Sequence, residues 1–410
     1  MEKITLGVLF GSRSCEREVA IISAVQLMNH VSPDRYDLVP VYIAPDGRWY
    51  TGGALRDIRT FTAFEAARGK LQQVRLDLTA GSGALMTTRP GKGLFGKPEE
   101  VMVARLQVCV VVMHGLNGED GTVQGLLELA NLPYTSTGVA GSAVGMDKIM
   151  MKRFFQGCGF PVLPGVWTTA DAWRKDPEAF ARQAEELGYP VFVKPANLGS
   201  SIGVSRAADR GELEDALELA FEYDRRVLVE KGLDAPIELN CSVLGFGEDI
   251  EASPVEMPVS HDELLTFREK YLAGGGSKAG GMASLSRVLP APIPDSVRDE
   301  LQRLSREIFR ELDCKGVVRI DYMWDRATDK LWITEINTIP GSLAFYLWQA
   351  AGVKYSALID RMVEAALRAH AEKNERTYTY TSEILEGMSL GGAKGAKGAK
   401  GAKGAKALPG

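Results

Sequence analysis

The chain has little cysteine, no long apolar run and almost no net charge, and each shortage removes a class of function. Its five cysteines, Cys15, Cys109, Cys158, Cys241 and Cys314, are scattered, odd in number and without CxxC spacing. That pattern supports neither a disulfide framework nor a structural zinc site, so each reads as a small buried or partly buried hydrophobe. No apolar run approaches the roughly 20 residues that a membrane helix needs. The first one, ending before Gly11, is too short for a signal-peptide core and reads as a β-strand. A net charge of −5 gives the whole protein no pull towards nucleic acid or an anionic membrane, though it leaves room for a local basic pocket. The expectation is a protein of the reduced cytoplasm with neither kind of partner. What is present is ordinary for a globular protein: 45% apolar and 25% charged residues in 410, enough for two or three domains.

The first third alternates strand-like runs with helical ones. Residues 4–10 and 38–43 read as strands, and 16–28 as a helix with Val19, Ile22, Ala24, Val25 and Met28 in an apolar stripe. Residues 106–113 are almost continuously apolar, as in a strand covered on both faces, and lead into glycine-rich 114–121 and a helix over 123–130. Strand, glycine loop and helix in that order predict an open parallel sheet with ligands at its strand ends. The stretch 51–98 is weakly patterned and reads as a helix, a hairpin and loops. From about Asp147 a basic helix, an acidic helix and strands at 191–194 and 227–230 describe a small α+β module. A last block carries strands at 238–244, 317–324 and 331–336, with helices at 295–312 and 354–372. The predicted divisions are 1–147, 148–231 and 232–376. Beyond them, 377–410 repeats Gly-Ala-Lys and has too little apolar surface to offset the entropy of ordering. It reads as a solvated tail, with a weak polyanion tether as the sharper alternative.

Three segments carry chemistry. Side chains alternate along a strand, so Arg319 shares a face with Asp321, and Glu335 with Asn337. Two such strands side by side would gather three oxygen ligands and a guanidinium, a donor set suited to Mg²⁺ shared with phosphate. The plain alternative is a cross-strand ion pair between Arg319 and a carboxylate. Second, Lys194 ends a strand and is followed by a small-residue loop to Gly203, a cradle for phosphate that lacks the Gly-Lys-Ser/Thr order of a P-loop. Third, the strand 227–230 leaves on Glu230-Lys231, shaped like a hinge whose backbone can meet an adenine edge, with Glu238 beyond for a ribose hydroxyl. Either of these segments alone is also an ordinary loop or strand end.

Taken together, the segments 9–19, 114–122, 145–148, 194–203, 269–271 and 317–342 resemble, in order, the D-alanine–D-alanine ligases of the ATP-grasp superfamily. The resemblance covers roughly residues 4–353, omitting 51–98. It implies an α/β fold: an open parallel-sheet substrate domain at 1–147 ahead of an ATP-grasp pair at 148–231 and 232–376. It implies ATP as cofactor with two Mg²⁺ ions (Mn²⁺ as a substitute) on Asp321, Glu335 and Asn337. Lys148 and Lys194 match the phosphate lysines, and Ser200 to Gly203, Ser201 included, the phosphate cover. Glu230, Lys231, Leu233, Glu238 and Met323 match the nucleotide contacts. Glu16 matches the holder of the first substrate's ammonium, with Val19 and His114 nearby, while Arg319 and the Gly341 N–H match the oxyanion stabilisers. Lys270 and Tyr271 open a glycine-rich lid over 272–281. The implied reaction makes an acylphosphate from one carboxylate and passes it to an amine, for peptidoglycan precursor synthesis, on small amino-acid substrates; a homodimer is left open. Tyr346 stands where the family usually presents a serine to the second substrate, so a different amine acceptor is an alternative. A non-catalytic nucleotide-binding relative and a biotin-dependent carboxylase component are two others.

Overall fold

The computed structural model describes residues 2–91, 96–259 and 287–377. The described residues up to Ala371 form one compact unit. Lys270, Tyr271, the 272–281 segment and all but the first residue of the Gly-Ala-Lys tail region fall outside the described residues.

The N-terminal sheet contains β1 (Ile4–Gly11), β2 (Tyr36–Ile43), β3 (Trp49–Thr51), β4 (Gln72–Leu76), β5 (Ala84–Arg89), β6 (Glu99–Arg105) and β7 (Val108–Val112). Its order is β6-β5-β4-β3-β2-β1-β7. Only β2, β1 and β7 run parallel; β3 to β6 extend the sheet antiparallel. The expectation of an open parallel sheet therefore holds for three strands. Every residue of β7 is buried, as its unbroken valine and cysteine run requires. Among the described residues, the stretch 51–98 holds only short elements, none longer than the six residues of β5, which is too few for a periodicity to stand out. The helix Arg17–Met28 packs on β1 through Val19, Ala20, Ser23, Ala24 and Leu27, while Ile22 and Val25 of the predicted stripe are only half-buried.

The second sheet, order β10-β9-β11-β8, is antiparallel: β8 (Gly165–Thr169), β9 (Val191–Pro195), β10 (Ser205–Ala207) and β11 (Arg226–Lys231). Helices Pro177–Glu185 and Arg210–Phe221 cover it around Phe180, Val193, Leu217 and Val229. Asp176 and Asp209 cap these helices, accepting from the N–H groups of Ala179 and Glu212. Asp147 does the same for helix Lys148–Gly157 and also pairs with Arg226 at the start of β11, tying that helix to the second sheet.

The third sheet joins β12 (Ile237–Phe246), β13 (Asp249–Ala252), β16 (Lys315–Asp325) and β17 (Lys330–Asn337) in the order β13-β12-β16-β17, all antiparallel. A small pair, β14 (Met257–Pro258) with β15 (Arg287–Val288), stands beside it. Helix Asp295–Glu311 lays Leu301, Leu304, Ile308 and Phe309 on one face, leaving the other for polar residues.

Gly316, in β16, has φ of +76°, and a Cβ there would overlap the Thr135 carbonyl oxygen, so no other residue fits without moving backbone. We expect Gly316→Ala to cost about 2 kcal/mol or more in urea unfolding. An unchanged midpoint would contradict this account of the strand's start.

Candidate active site

On the open face of the third sheet, Arg319 lies opposite Asn337 and Asp321 opposite Glu335. A bulge follows at once, between Asp321 and Tyr322, where Thr334 donates to the Asp321 carbonyl at 2.8 Å. Bulges of this kind re-aim neighbouring side chains. The Arg319 guanidinium grips Asp321 with two bonds of 2.6 Å, and Asn337 donates to the same carboxylate at 3.0 Å. Arginine does pair with a carboxylate here, but along its own strand, two residues on. Burial works against the Arg319 charge, yet the Asp321 carboxylate outweighs it and holds the guanidinium well above its ordinary value. Lys148 reaches Glu335 at 3.7 Å. Among the described residues no three His, Cys, Asp or Glu side chains gather into a metal cage. Two carboxylates and an amide instead suit a hard cation that completes its shell with phosphate and water.

The second sheet and the helix Lys148–Gly157 supply the cations. Lys194 meets the Glu230 carboxylate at 2.6 Å, and Lys152 pairs with its other oxygen. Glu230 is 1% exposed; burial opposes its charge, but the two lysines keep its pKa below the ordinary value. Lys194 answers in kind, held above its ordinary value by Glu230 against the pull of burial. For Lys152 burial wins, and its pKa falls. The Lys148 ammonium donates to the Leu198 carbonyl at 2.7 Å, so it stands at the loop that follows β9. Lys152 was not among the expected site residues, though its place four residues after Lys148 puts it on the same helix face.

Above the metal patch, the Ser200 hydroxyl donates to Glu16, bridging the small-residue loop to the N-terminal sheet. Ser200 and Ser201 both sit at positive φ, 55° and 58°. Glu119 is a second residue that sequence reasoning passed over. Its oxygens accept from the Gly115 N–H at 2.8 Å and the Ile339 N–H at 3.1 Å, and burial together with the Glu16 charge pushes its pKa up to about 8. The Gly-Glu-Asp-Gly run marked the loop but not the partner, which lies 220 residues away. His114 is 3% exposed, with Nδ1 at 2.9 Å from the Ile339 carbonyl and Nε2 at 3.2 Å from the Ser23 hydroxyl.

A cleft of about 560 Å³ collects Glu16, His114, Lys148, Lys194, Ser200, Ser201, Glu230, Lys231, Leu233, Glu238, Arg319, Asp321, Met323, Glu335, Asn337 and Gly341, with Glu119 added. Val19 is buried on its helix. Tyr346 is also buried, donating to Glu256 at 3.1 Å, while the Arg287 guanidinium lies 3.8 Å over its ring and bonds the same Glu256 at 2.8 Å.

Burial, aided by the Arg319 charge, depresses the His114 pKa to about 4. The unfolded chain therefore takes up the proton first, and stability present above pH 6.5 is lost as pH falls through 4. We expect His114→Gln to flatten the unfolding free energy between those limits, where the parent loses up to about 3 kcal/mol. Parallel curves for the two proteins would show that His114 is not buried as a neutral ring.

This geometry has counterparts. The D-ala D-ala ligase N-terminus model matches residues 5–137 and the D-ala D-ala ligase C-terminus model residues 154–364. A D-alanine–D-alanine ligase of Thermosipho africanus is 35% identical, over 93% of this chain and 98% of that protein. The structure of the D-alanine-D-alanine ligase from Coxiella burnetii superposes with a TM-score of 0.74 at 26% identity, covering 92% of this chain and 97% of that one. The VanG D-Ala:D-Ser ligase from Enterococcus faecalis gives 0.72 at 26%, covering 89% and 100%. With both of its halves matched, the chain belongs to the D-alanine–D-alanine ligase family, whose fold is the ATP-grasp.

Proposed function

We propose that this chain is an ATP-dependent D-alanine–D-alanine ligase supplying peptidoglycan precursor in the cytoplasm. The observation that carries the reading is the convergence, in one cleft, of Lys148 from the helix Lys148–Gly157, Lys194 from the second sheet, the Asp321–Glu335–Asn337 patch from the third, and Glu16 from the start of the helix Arg17–Met28. Lys148 and Lys194 neutralise the phosphates of ATP, and the Ser200–Ser201 loop lies over them. The Glu230 carboxylate is occupied by lysines, so its backbone and that of Lys231 are what it offers a base edge, with Leu233 and Met323 as the apolar walls and Glu238 for the ribose. Asp321, Glu335 and Asn337 would hold Mg²⁺, which supplies charge neutralisation at the transferring phosphoryl group. Glu16 receives the ammonium of the first D-alanine and thereby orients its carboxylate towards the γ-phosphate. Attack by that carboxylate releases ADP and leaves an acylphosphate. When the second amine adds to its carbonyl, the oxyanion that develops meets Arg319 and the Gly341 N–H, and collapse expels phosphate as the amide forms. Acylphosphates hydrolyse readily, which makes exclusion of water part of the task.

A second reading concerns the acceptor, and the Tyr346–Glu256–Arg287 cluster favours it. A phenol tied to a buried carboxylate and roofed by a guanidinium is larger and more rigid than a serine hydroxyl. It reshapes the pocket where the second substrate sits, so that an amino acid other than D-alanine is the acceptor. The Enterococcus faecalis neighbour, a D-Ala:D-Ser ligase, supports the reading as a protein of this fold named for an acceptor other than D-alanine.

Both readings meet one experiment. ATP, Mg²⁺ and D-alanine are incubated with the protein, alone and with a panel of amino acids, following phosphate release and product mass. D-alanyl-D-alanine from D-alanine alone supports the first reading; turnover only with another amine supports the second. No ATP-dependent product in any mixture would remove both. We expect Glu335→Gln to lower turnover about a hundredfold or more, the loss of one ligand at the phosphoryl group.

A further inference from the structure

The turn after Pro340 has a backbone that does not hold itself. Ser342, Leu343 and Ala344 lie consecutively at φ of 50°, 54° and 49°, a left-handed run that L-residues adopt only when their surroundings enforce it. All three are buried. Within the turn the Leu343 N–H bonds the Pro340 carbonyl at 2.7 Å. From outside, the Ser342 N–H donates to the Ser23 hydroxyl oxygen at 3.0 Å, and the Ile339 carbonyl takes a bond from His114 Nδ1. Glu119 accepts from the Ile339 N–H, and the Tyr355 hydroxyl reaches the Ser342 carbonyl. Gly341, whose N–H faces the chemistry in the reading above, sits between these grips.

The donors and acceptors leave one consistent arrangement. A backbone N–H only donates, so Ser23 Oγ accepts from Ser342. A carbonyl only accepts, so His114 Nδ1 carries a proton. Buried at 3% exposure beside the Arg319 charge, the ring stays neutral, and its Nε2 is then bare. The nearest donor to Nε2 is the Ser23 hydroxyl at 3.2 Å. Ser23, 1% exposed on the helix Arg17–Met28, therefore gives its proton to His114 and its lone pair to Ser342.

We propose that Ser23 is a positioning residue for the reaction: by fixing the His114 tautomer and holding the Ser342 N–H, it clamps the backbone on both sides of Gly341. The kinetic consequence rests on the ligase reading; the hydrogen-bond arrangement does not. Glu119 and Arg319 are the charged groups that face the clamp, and neither supplies Nε2 with a proton in this arrangement.

The test has two arms. In the first, the unsubstituted protein is labelled with ¹⁵N-histidine and its four histidines are read by NMR near neutral pH. His114, assigned by its loss in His114→Gln, is expected to show a protonated Nδ1 and a bare Nε2. A proton on Nε2 overturns the inference, and this arm stands whether or not the protein proves to be a ligase. In the second, Ser23→Ala is expected to lower kcat about tenfold with KM for ATP within about twofold, since the nucleotide side of the cleft is untouched. Ser23→Thr, which keeps the hydroxyl, is expected to recover most of that loss. A Ser23→Ala enzyme with parental kcat, or a threonine variant no better than alanine, overturns it.

Discussion

The cleft depends first on one carboxylate. Glu230 lies between Lys152 and Lys194, and it thereby fixes a helix, a strand and a hinge in one contact: Lys152 comes from the helix Lys148–Gly157, Lys194 ends β9, and Glu230 itself is on β11. Three buried charges are costly to desolvate, and the arrangement survives because each has an opposite neighbour. The cluster carries one net positive charge, and Lys194 and Glu230 line the cleft. Burial lowers the Lys152 pKa, so holding the second cation inside comes at some expense in stability. On the proposed ligase reading, that surplus charge suits a polyphosphate.

The negative side of the cleft is built by different means. Asp321 is held by Arg319 and Asn337, so before any cation arrives its charge is already balanced and its orientation set. Glu335 lies 3.7 Å from Lys148, a contact that couples this patch to the helix Lys148–Gly157. Opposite charges are thus shared between elements rather than segregated, so these carboxylates do not cost the fold a set of unpaired charges.

How much of this was legible in the sequence follows from what governs each feature. Strand alternation is local, so the shared face of Arg319 and Asp321, and that of Glu335 and Asn337, could be read from two short segments, and the pairing of β16 with β17 then places them together. The full burial of β7 was equally plain in its run of valines. The antiparallel half of the first sheet was not legible, because β3, β4 and β5 are only three to six residues long and β6 exposes most of its side chains, which leaves little contrast for alternation to show. Least legible were the contacts that close the site. Ser200 meets Glu16 across 184 residues, and Glu119 meets Ile339 across 220. Neither partner differs in type from an ordinary surface serine or glutamate. Only the fold brings them together, and a sequence-level signal existed only in their neighbours: glycines on both sides of Glu119 and Asp120, and small residues around Ser200.

The same reasoning separates the two ends of the cleft. Around Lys194 and Glu230, charges are spaced by regular strands and a capped helix, so a substitution there changes field strength before it changes shape. Around Gly341, the backbone itself is the constrained feature. Three left-handed residues each cost of order 1–3 kcal/mol, which only external hydrogen bonds can sustain. The residues that follow directly are Phe345 and Tyr346, the first stacked on Tyr355 and the second tied to Glu256 under Arg287. Both aromatic anchors sit where the strain would otherwise relax. Tyr346 itself is not among the residues that line the cleft, so it bears on the site through Glu256, which does line it, and through the turn that carries Gly341. On the proposed ligase reading, a smaller residue at that position would loosen both together, and acceptor choice and the placement of Gly341 would be coupled through one side chain.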